Sequence, residues 1–219
     1  MIARRTLKTM SLALMIGLGF LAQAKTSHAQ QLETLTVAGG CFWCVEADFE
    51  KVKGVKEAVS GFAGGTTANP TYKQVTGGNT GHYEAVQITF DPAQVQVETL
   101  LSMFFRSVDP TDAGGQFCDR GASYRTAIFA TPSQINAAEA AKAQAQADLG
   151  KTVVTPVLQA NTFFPADSYH QDYYKQSSVV FTRFGPKSKA KAYKAYRNAC
   201  GRDATVRALW GSAAPFAGS

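Results

Sequence analysis

Several things are scarce in this sequence, and each scarcity closes off a class of function. Charged residues make up only 17% of the 219 positions. Four of the 22 basic residues (Arg4, Arg5, Lys8, Lys25) and none of the 16 acidic ones precede Gln30, which leaves 18 basic against 16 acidic side chains and a net charge of +2 from Gln30 onward. A chain that grips phosphate backbones needs a strong, clustered basic excess, so nucleic acid is not expected as a partner. The four cysteines (Cys41, Cys44, Cys118, Cys200) are too few for a disulfide scaffold. A four-cysteine zinc site wants a second close pair beside Cys41 and Cys44, and Cys118 and Cys200 are far apart in sequence, so no metal is expected. No glycine-rich phosphate fingerprint lies between a strand and a helix, so neither nucleotide nor flavin is indicated.

The long apolar run of a membrane span is missing too. Met10 to Leu21 is apolar over about a dozen residues, short of the roughly twenty needed to cross a bilayer. Arg4, Arg5 and Lys8 precede it and Ser27-His28-Ala29 offers a small-x-small cut, which together read as a secretory signal peptide. Residues 1–29 are therefore expected to be cleaved, giving an exported product, periplasmic or secreted, with no stable membrane association. Ala22-Gln23-Ala24 is a second cut, and Arg4-Arg5-Thr6-Leu7-Lys8 loosely resembles a twin-arginine signal. Residues 30–219 are long enough for one sizeable core and read as a single domain, expected to be monomeric, with a flexible C-terminal tail of small residues.

Periodicity within that domain mixes strands and helices, so the class is α/β or α+β with a small sheet. Glu33 to Val37 alternates as a half-buried strand and runs into Gly39-Gly40; Cys41 to Phe49 then reads as a helix ending near Gly54. Val55 to Ala63 is expected as a strand, followed by a Gly/Thr/Asn/Pro loop. Glu84 to Phe90 is a strand with Val86, Ile88 and Phe90 on one face, and Glu84 has the parity of that face. A carboxylate turned toward a core is costly to ionise, so its pKa is expected to rise. Gln94 to Val108 is helical, Tyr124 to Ala130 a strand, and Thr131-Pro132-Ser133-Gln134 supplies cap signals for an Ala-rich helix stopped by Gly150. Val153 to Leu158 is expected as a strand and Lys187 to Asn198 as a helix.

Chemistry concentrates at the strand-to-helix turn. A helix N-terminus presents unpaired N–H groups and partial positive charge, which favour thiolate, so Cys41 reads as a nucleophile with a lowered pKa. Cys41-x-x-Cys44 also fits a thiol-disulfide oxidoreductase of thioredoxin type. Cys41 with His82 or His170 is the weak signature of a Cys-His hydrolase. A non-catalytic module with two structural bridges is the remaining alternative.

Gly40-Cys41-Phe42-Trp43-Cys44-Val45-Glu46 resembles the GCFW-x-x-E signature of the peptide methionine sulfoxide reductase A family. Further blocks agree in family order: Asn69 to Tyr72, Thr80 to Val86, Asp119-Arg120-Gly121, Ser123 to Ile128 and Tyr169 to Tyr173. The resemblance implies a ferredoxin-like two-layer α/β sandwich wrapped in long coil, and an oxidoreductase that repairs the S epimer of methionine sulfoxide, free or in proteins. By the same resemblance Cys41 is the nucleophile, Glu84 the acid, and Tyr72 and Tyr124 the hydroxyls around the sulfoxide oxygen. Phe42 and Trp43 form the apolar pocket for the S-methyl group, and Asp119 organises the active-site water.

Those residue types suit the reaction. A sulfoxide oxygen leaves poorly until protonated, so an acid held neutral near pH 7 can supply a proton while the thiolate attacks sulfur. Two phenols donating to that oxygen follow the logic of an oxyanion site. Attack leaves Cys41 as a sulfenic acid, which a nearby thiol converts to a disulfide for a thioredoxin-like dithiol to reduce. The chain departs from the commonest family pattern, in which glycine follows the tryptophan and resolving cysteines lie near the C-terminus. Cys44 is the nearest resolver by sequence; Cys200 could also serve, and Cys118 could partner Cys44 or Cys200.

Overall fold

A computed structural model describes residues 31–218, and the expected signal segment lies outside the described residues. In chain order the first elements are β1 (Glu33–Gly39), α1 (Phe42–Phe49), β2 (Val55–Ala63), α2 (Tyr72–Thr76), β3 (Tyr83–Phe90) and α3 (Val97–Phe105). They are followed by β4 (Gly115–Gln116), β5 (Asp119–Arg120), β6 (Thr126–Ala130), α4 (Ile135–Leu149), β7 (Val157–Gln159) and β8 (Phe164–Pro165). A hairpin of β9 (Val179–Thr182) and β10 (Gly185–Ser188) leads into α5 (Lys189–Ala199) and α6 (Arg202–Trp210).

The main sheet runs β7-β6-β1-β3-β2-β8, with β6 and β7 parallel and the other neighbours antiparallel. Its inner four strands, β6-β1-β3-β2, joined by α1 and α3, form the expected ferredoxin-like sandwich. Alternation along β3 decides the layers. Val86, Ile88 and Phe90 enter the main core with Phe49, Leu101 and Phe104 of the helices, while Tyr83 and Ala85 join a smaller cluster on the other face with Ala127 and Phe129. Each fully buried Leu or Phe side chain in that core stabilises the sandwich by about 1.5–3 kcal/mol.

Some boundaries differ from the sequence reading for identifiable reasons. Helix α1 ends at Phe49, because Gly54 already serves a turn at φ +101° in which its carbonyl accepts the Asp91 N–H. Thr131 to Gln134 forms a turn that leads directly into α4, its Thr131 carbonyl accepting the Ile135 N–H at 3.2 Å. Half of the expected cap is present, since the Gln134 side chain accepts from the Thr131 N–H, while its donation to the Thr34 carbonyl ties the turn to β1. Gly150, at φ +60°, does stop α4. Tyr124 belongs to a 3₁₀ turn, and β6 begins at Thr126. Pro156 lacks the N–H a ladder needs, and β7 starts only after it. The segment expected as a flexible tail instead carries α6, buries Phe216 and donates from Trp210 Nε1 to the Val108 carbonyl at 3.2 Å.

Candidate functional site

Strand β1 ends in Gly39-Gly40, and the second glycine makes the turn. Its φ is +80°, and a Cβ there would come within 2.6 Å of Gln116 Cβ, so both conformation and space demand glycine. The turn delivers Cys41 half-exposed at the N-cap of α1. Across from it, Glu84 on β3 is buried, and its Oε2 accepts the Phe42 N–H at 3.0 Å. The acid thus meets an orphan amide of the helix that Cys41 begins. Glu84 Oε1 is buried with no hydrogen-bond partner among the described residues. Burial pushes the Glu84 pKa up to about 8; the Phe42 N–H opposes the rise and the nearby Asp119 adds to it. Glu84 is therefore a protonated acid at neutral pH.

Tyr72 opens α2, a one-turn helix fixed by a Thr71/Gln74 capping box. Burial first, and then the charge of Glu84, raises the pKa of Tyr72 and of Tyr124, so both phenols keep their protons. Asp119, half-buried on β5, is likewise raised by burial, against the pull of Arg202 and Arg183. Cys41, Glu84, Tyr72, Tyr124, Asp119, Phe42 and Trp43 all line one cavity of about 450 Å³. Cys44, Cys118 and Cys200 line it as well, so the fold gathers every site residue named from the sequence.

The aromatic wall is built by the segment around Tyr169 to Tyr173. Trp43 stacks on Tyr173 with ring centres 3.7 Å apart and planes 9° apart. His170 wedges between Tyr72 (4.3 Å), Phe42 (5.3 Å) and Trp43 (5.8 Å). Burial lowers the pKa of His170, which keeps its ring neutral at physiological pH. Gln171 holds the segment to β2 by accepting the Ser60 N–H and donating to the Ser60 carbonyl. Buried Glu46 accepts from both the Ser60 hydroxyl and the Asp172 N–H, and desolvation pushes its pKa to about 7. Neither histidine serves Cys41 as a base: His170 is packed among rings, and His82 spends both nitrogens on Gly65 N–H and Thr67 O. That geometry removes the Cys-His hydrolase reading.

The state of Cys41 departs from expectation. Its thiol pKa is raised, not lowered: the hydrogen bond to Cys44 is the largest cause, then burial, then the charges of Cys44, Glu84 and Asp119. The helix N-terminus does not outweigh acidic neighbours in a desolvated pocket. Cys44 is lowered by the same hydrogen bond, against burial, with help from Arg202 and Arg197. The opposite directions mark the two thiols as close neighbours whose titrations are linked.

Beneath Cys44 lies a buried charge cluster that the sequence reading missed. Arg197 Nη1 donates to Asp48 Oδ1 at 2.9 Å; Arg202 donates to the Gly39 carbonyl at 3.0 Å and the Ser107 carbonyl at 2.9 Å, with its Nε 3.9 Å from Asp48 Oδ2. The available signal was Asp48 itself, a second carboxylate beside Glu46 in a short helix whose other residues are apolar. Cys118, exposed, and Cys200, half-buried, form a disulfide across 82 residues of sequence, and Cys41 and Cys44 are both free. Of the pairings left open for Cys118, the structure selects Cys200.

A profile of the family described as peptide methionine sulfoxide reductase matches residues 33–202. The chain is 46% identical over 191 residues, 87% of its length and 91% of the other's, to a Caulobacter vibrioides protein named peptide methionine sulfoxide reductase MsrA 2. It is 49% identical over 189 residues to a Rhizobium meliloti protein of the same name, covering 86% of this chain and 88% of that one. Among solved structures it resembles reduced Mxr1 of Saccharomyces cerevisiae, with a TM-score of 0.63 and 29% identity, covering 65% of this chain and 84% of that one. It also resembles methionine sulfoxide reductase A of Corynebacterium diphtheriae, with a TM-score of 0.61 and 32% identity, covering 65% and 73% respectively.

Proposed function

The chain belongs to the peptide methionine sulfoxide reductase family, a family of oxidoreductases, and on that premise we propose that it reduces the S epimer of methionine sulfoxide through a sulfenic acid on Cys41. The observation that carries this reading is the buried Glu84 carboxyl bonded to the amide next to Cys41, in one cavity with the Tyr72 and Tyr124 phenols and an aromatic wall; burial favours the neutral acid there. Phe42 and Trp43 receive the S-methyl group. Tyr72 and Tyr124 donate to the sulfoxide oxygen as Glu84 protonates it. Cys41 sulfur attacks the substrate sulfur and forms a transient S–S bond while its thiol proton replaces the one Glu84 has given. The hydroxyl then moves to Cys41 sulfur as that S–S bond and the original S–O bond break, so methionine leaves and Cys41 holds the sulfenic acid. Asp119 orders water in the cavity.

Recycling follows from the free pair. Cys44 sulfur attacks Cys41 sulfur, the Cys41 S–O bond breaks, and the hydroxyl leaves as water with the proton given up by the Cys44 thiol. A reduced Cys118/Cys200 dithiol then exchanges with that disulfide, becomes the disulfide itself, and is reduced in turn by a thioredoxin-like dithiol protein. Cys118 is the exposed cysteine, which supports its facing the external reductant. Repair of oxidised methionine, by a monomer exported on residues 1–29, is the biological reading.

Turnover of each separated epimer by the reduced protein lacking residues 1–29 tests the proposal. The S epimer should be consumed and the R epimer spared. Reduction of insulin disulfides without any sulfoxide turnover would return the protein to the general thiol-disulfide oxidoreductases.

A further inference from the structure

The β9–β10 hairpin stands beside the cavity and leaves apolar surface in solvent. Alternation along β9 turns Val180 and Thr182 inward, and Val180 packs against the cluster that holds Cys41, Cys44 and Trp43. The intervening residues face out: Val179 is 68% exposed and Phe181 91% exposed. The register sets Phe181 opposite the exposed Pro186, which extends the outward apolar face across both strands. At the tip, Phe184 packs on Tyr196 of α5 with ring centres 5.4 Å apart, and the Arg183 guanidinium sits over both rings. The hairpin is thus anchored to α5 while Val179, Phe181 and Pro186 on its outer face stay exposed among the described residues. Phe181 also reaches the rim of the cavity that contains Cys41.

We infer that this outward face, Val179, Phe181 and Pro186, is a docking rim for the chain that flanks an oxidised methionine in an extended, non-native polypeptide. The inference rests on the sulfoxide reductase reading and names its substrate class. A methionine side chain is short, so bringing its sulfur to Cys41 draws the neighbouring backbone across the rim. Single exposed apolar residues are ordinary, but here they line one face of a strand continuous with the catalytic cavity. Methionines are mostly buried in native cores, so one that is oxidised and then presented by an unfolded segment arrives with apolar neighbours. Free methionine sulfoxide has no such flanks and passes the rim without using it.

The test compares two substrates at saturating dithiothreitol: free methionine sulfoxide, and an end-capped unstructured peptide with one methionine sulfoxide between leucines. Phe181→Ser, and separately Val179→Ser, should raise the KM for the peptide, lowering its kcat/KM roughly tenfold for Phe181→Ser, with kcat nearly unchanged. Free methionine sulfoxide should be turned over as by the wild type, and Phe181→Leu should restore the peptide. Equal losses on both substrates would make the hairpin a structural wall and overturn the proposal, as would no loss on either. A raised KM for a dithiol protein reductant, with both substrates unaffected under dithiothreitol, would assign the face to the reductant instead. Concentration-dependent dimerisation abolished by Phe181→Ser would assign it to a second copy. A wild-type protein that reduces neither substrate would sink the parent reading, a failure distinguishable from all of these.

Discussion

Glu84 Oε2 accepts the Phe42 backbone N–H at 3.0 Å, so the buried acid and the helix that begins at Cys41 are tied by one hydrogen bond. The bond runs to an amide, which favours the carboxylate, yet desolvation wins and the pKa rises to about 8. Turnover should therefore fall on the alkaline side, as Glu84 loses its proton above pH ~8. Glu84→Gln keeps the shape and removes the proton, and it should cut turnover by about 10²–10⁴-fold and erase that alkaline limb. A variant within a few-fold of wild type at every pH would move the acid role to another group.

The same shift bears on stability. Its folded pKa lies above the ordinary value of 4.5, so the folded state binds more protons between the two values. The contribution is whole below pH 4.5 and is lost as pH rises through about 8. Thermal unfolding followed over that range should show wild-type stability declining toward alkaline pH and a shallower decline in Glu84→Gln.

Cys41→Ser should abolish sulfoxide reduction and leave the fold intact, since one atom changes at a half-exposed N-cap. Sulfoxide turnover is measured alongside circular dichroism. Activity surviving in a folded Cys41→Ser protein would refute the nucleophile assignment.

Strand alternation made much of the site legible. Glu84 shares parity with Val86 and Ile88, and that alone foretold a buried acid with a raised pKa. The ferredoxin-like core also followed from the sequence, through the family blocks. Tertiary charge was not legible in the same way. Asp48 is far along the chain from Arg197 and Arg202, and each looks like ordinary surface charge until α5 and α6 are laid on α1. Asp48 is opposed in its burial-driven pKa rise by both arginines. Asp48→Ala leaves buried guanidinium charge uncompensated and should destabilise the fold by about 3–5 kcal/mol in urea unfolding. A loss below about 1 kcal/mol would mean that Asp203, which accepts from Arg197 Nε at 2.9 Å, and the carbonyl acceptors suffice for Arg197 and Arg202.

The cysteines allow the order of recycling to be read from trapped species. With Cys118 bonded to Cys200, a sulfenic acid at Cys41 has one free thiol in the chain to meet, Cys44, which lies one helical turn away. Closing so short a loop needs little ordering of chain. Protein isolated with the Cys118–Cys200 disulfide intact, given excess sulfoxide and no reductant, should therefore release about one methionine per chain and gain a Cys41–Cys44 disulfide. Fully reduced protein holds a second dithiol and should release about two, because exchange regenerates the first pair once. Cys44→Ser should arrest with the Cys41 sulfenic acid open to dimedone whenever Cys118 and Cys200 are paired. Peptide mapping by mass spectrometry reads each bond directly. If Cys44→Ser, fully reduced, yields a Cys41–Cys200 disulfide at the wild-type rate, then Cys200 is the resolver and Cys44 is packing at the start of the helix.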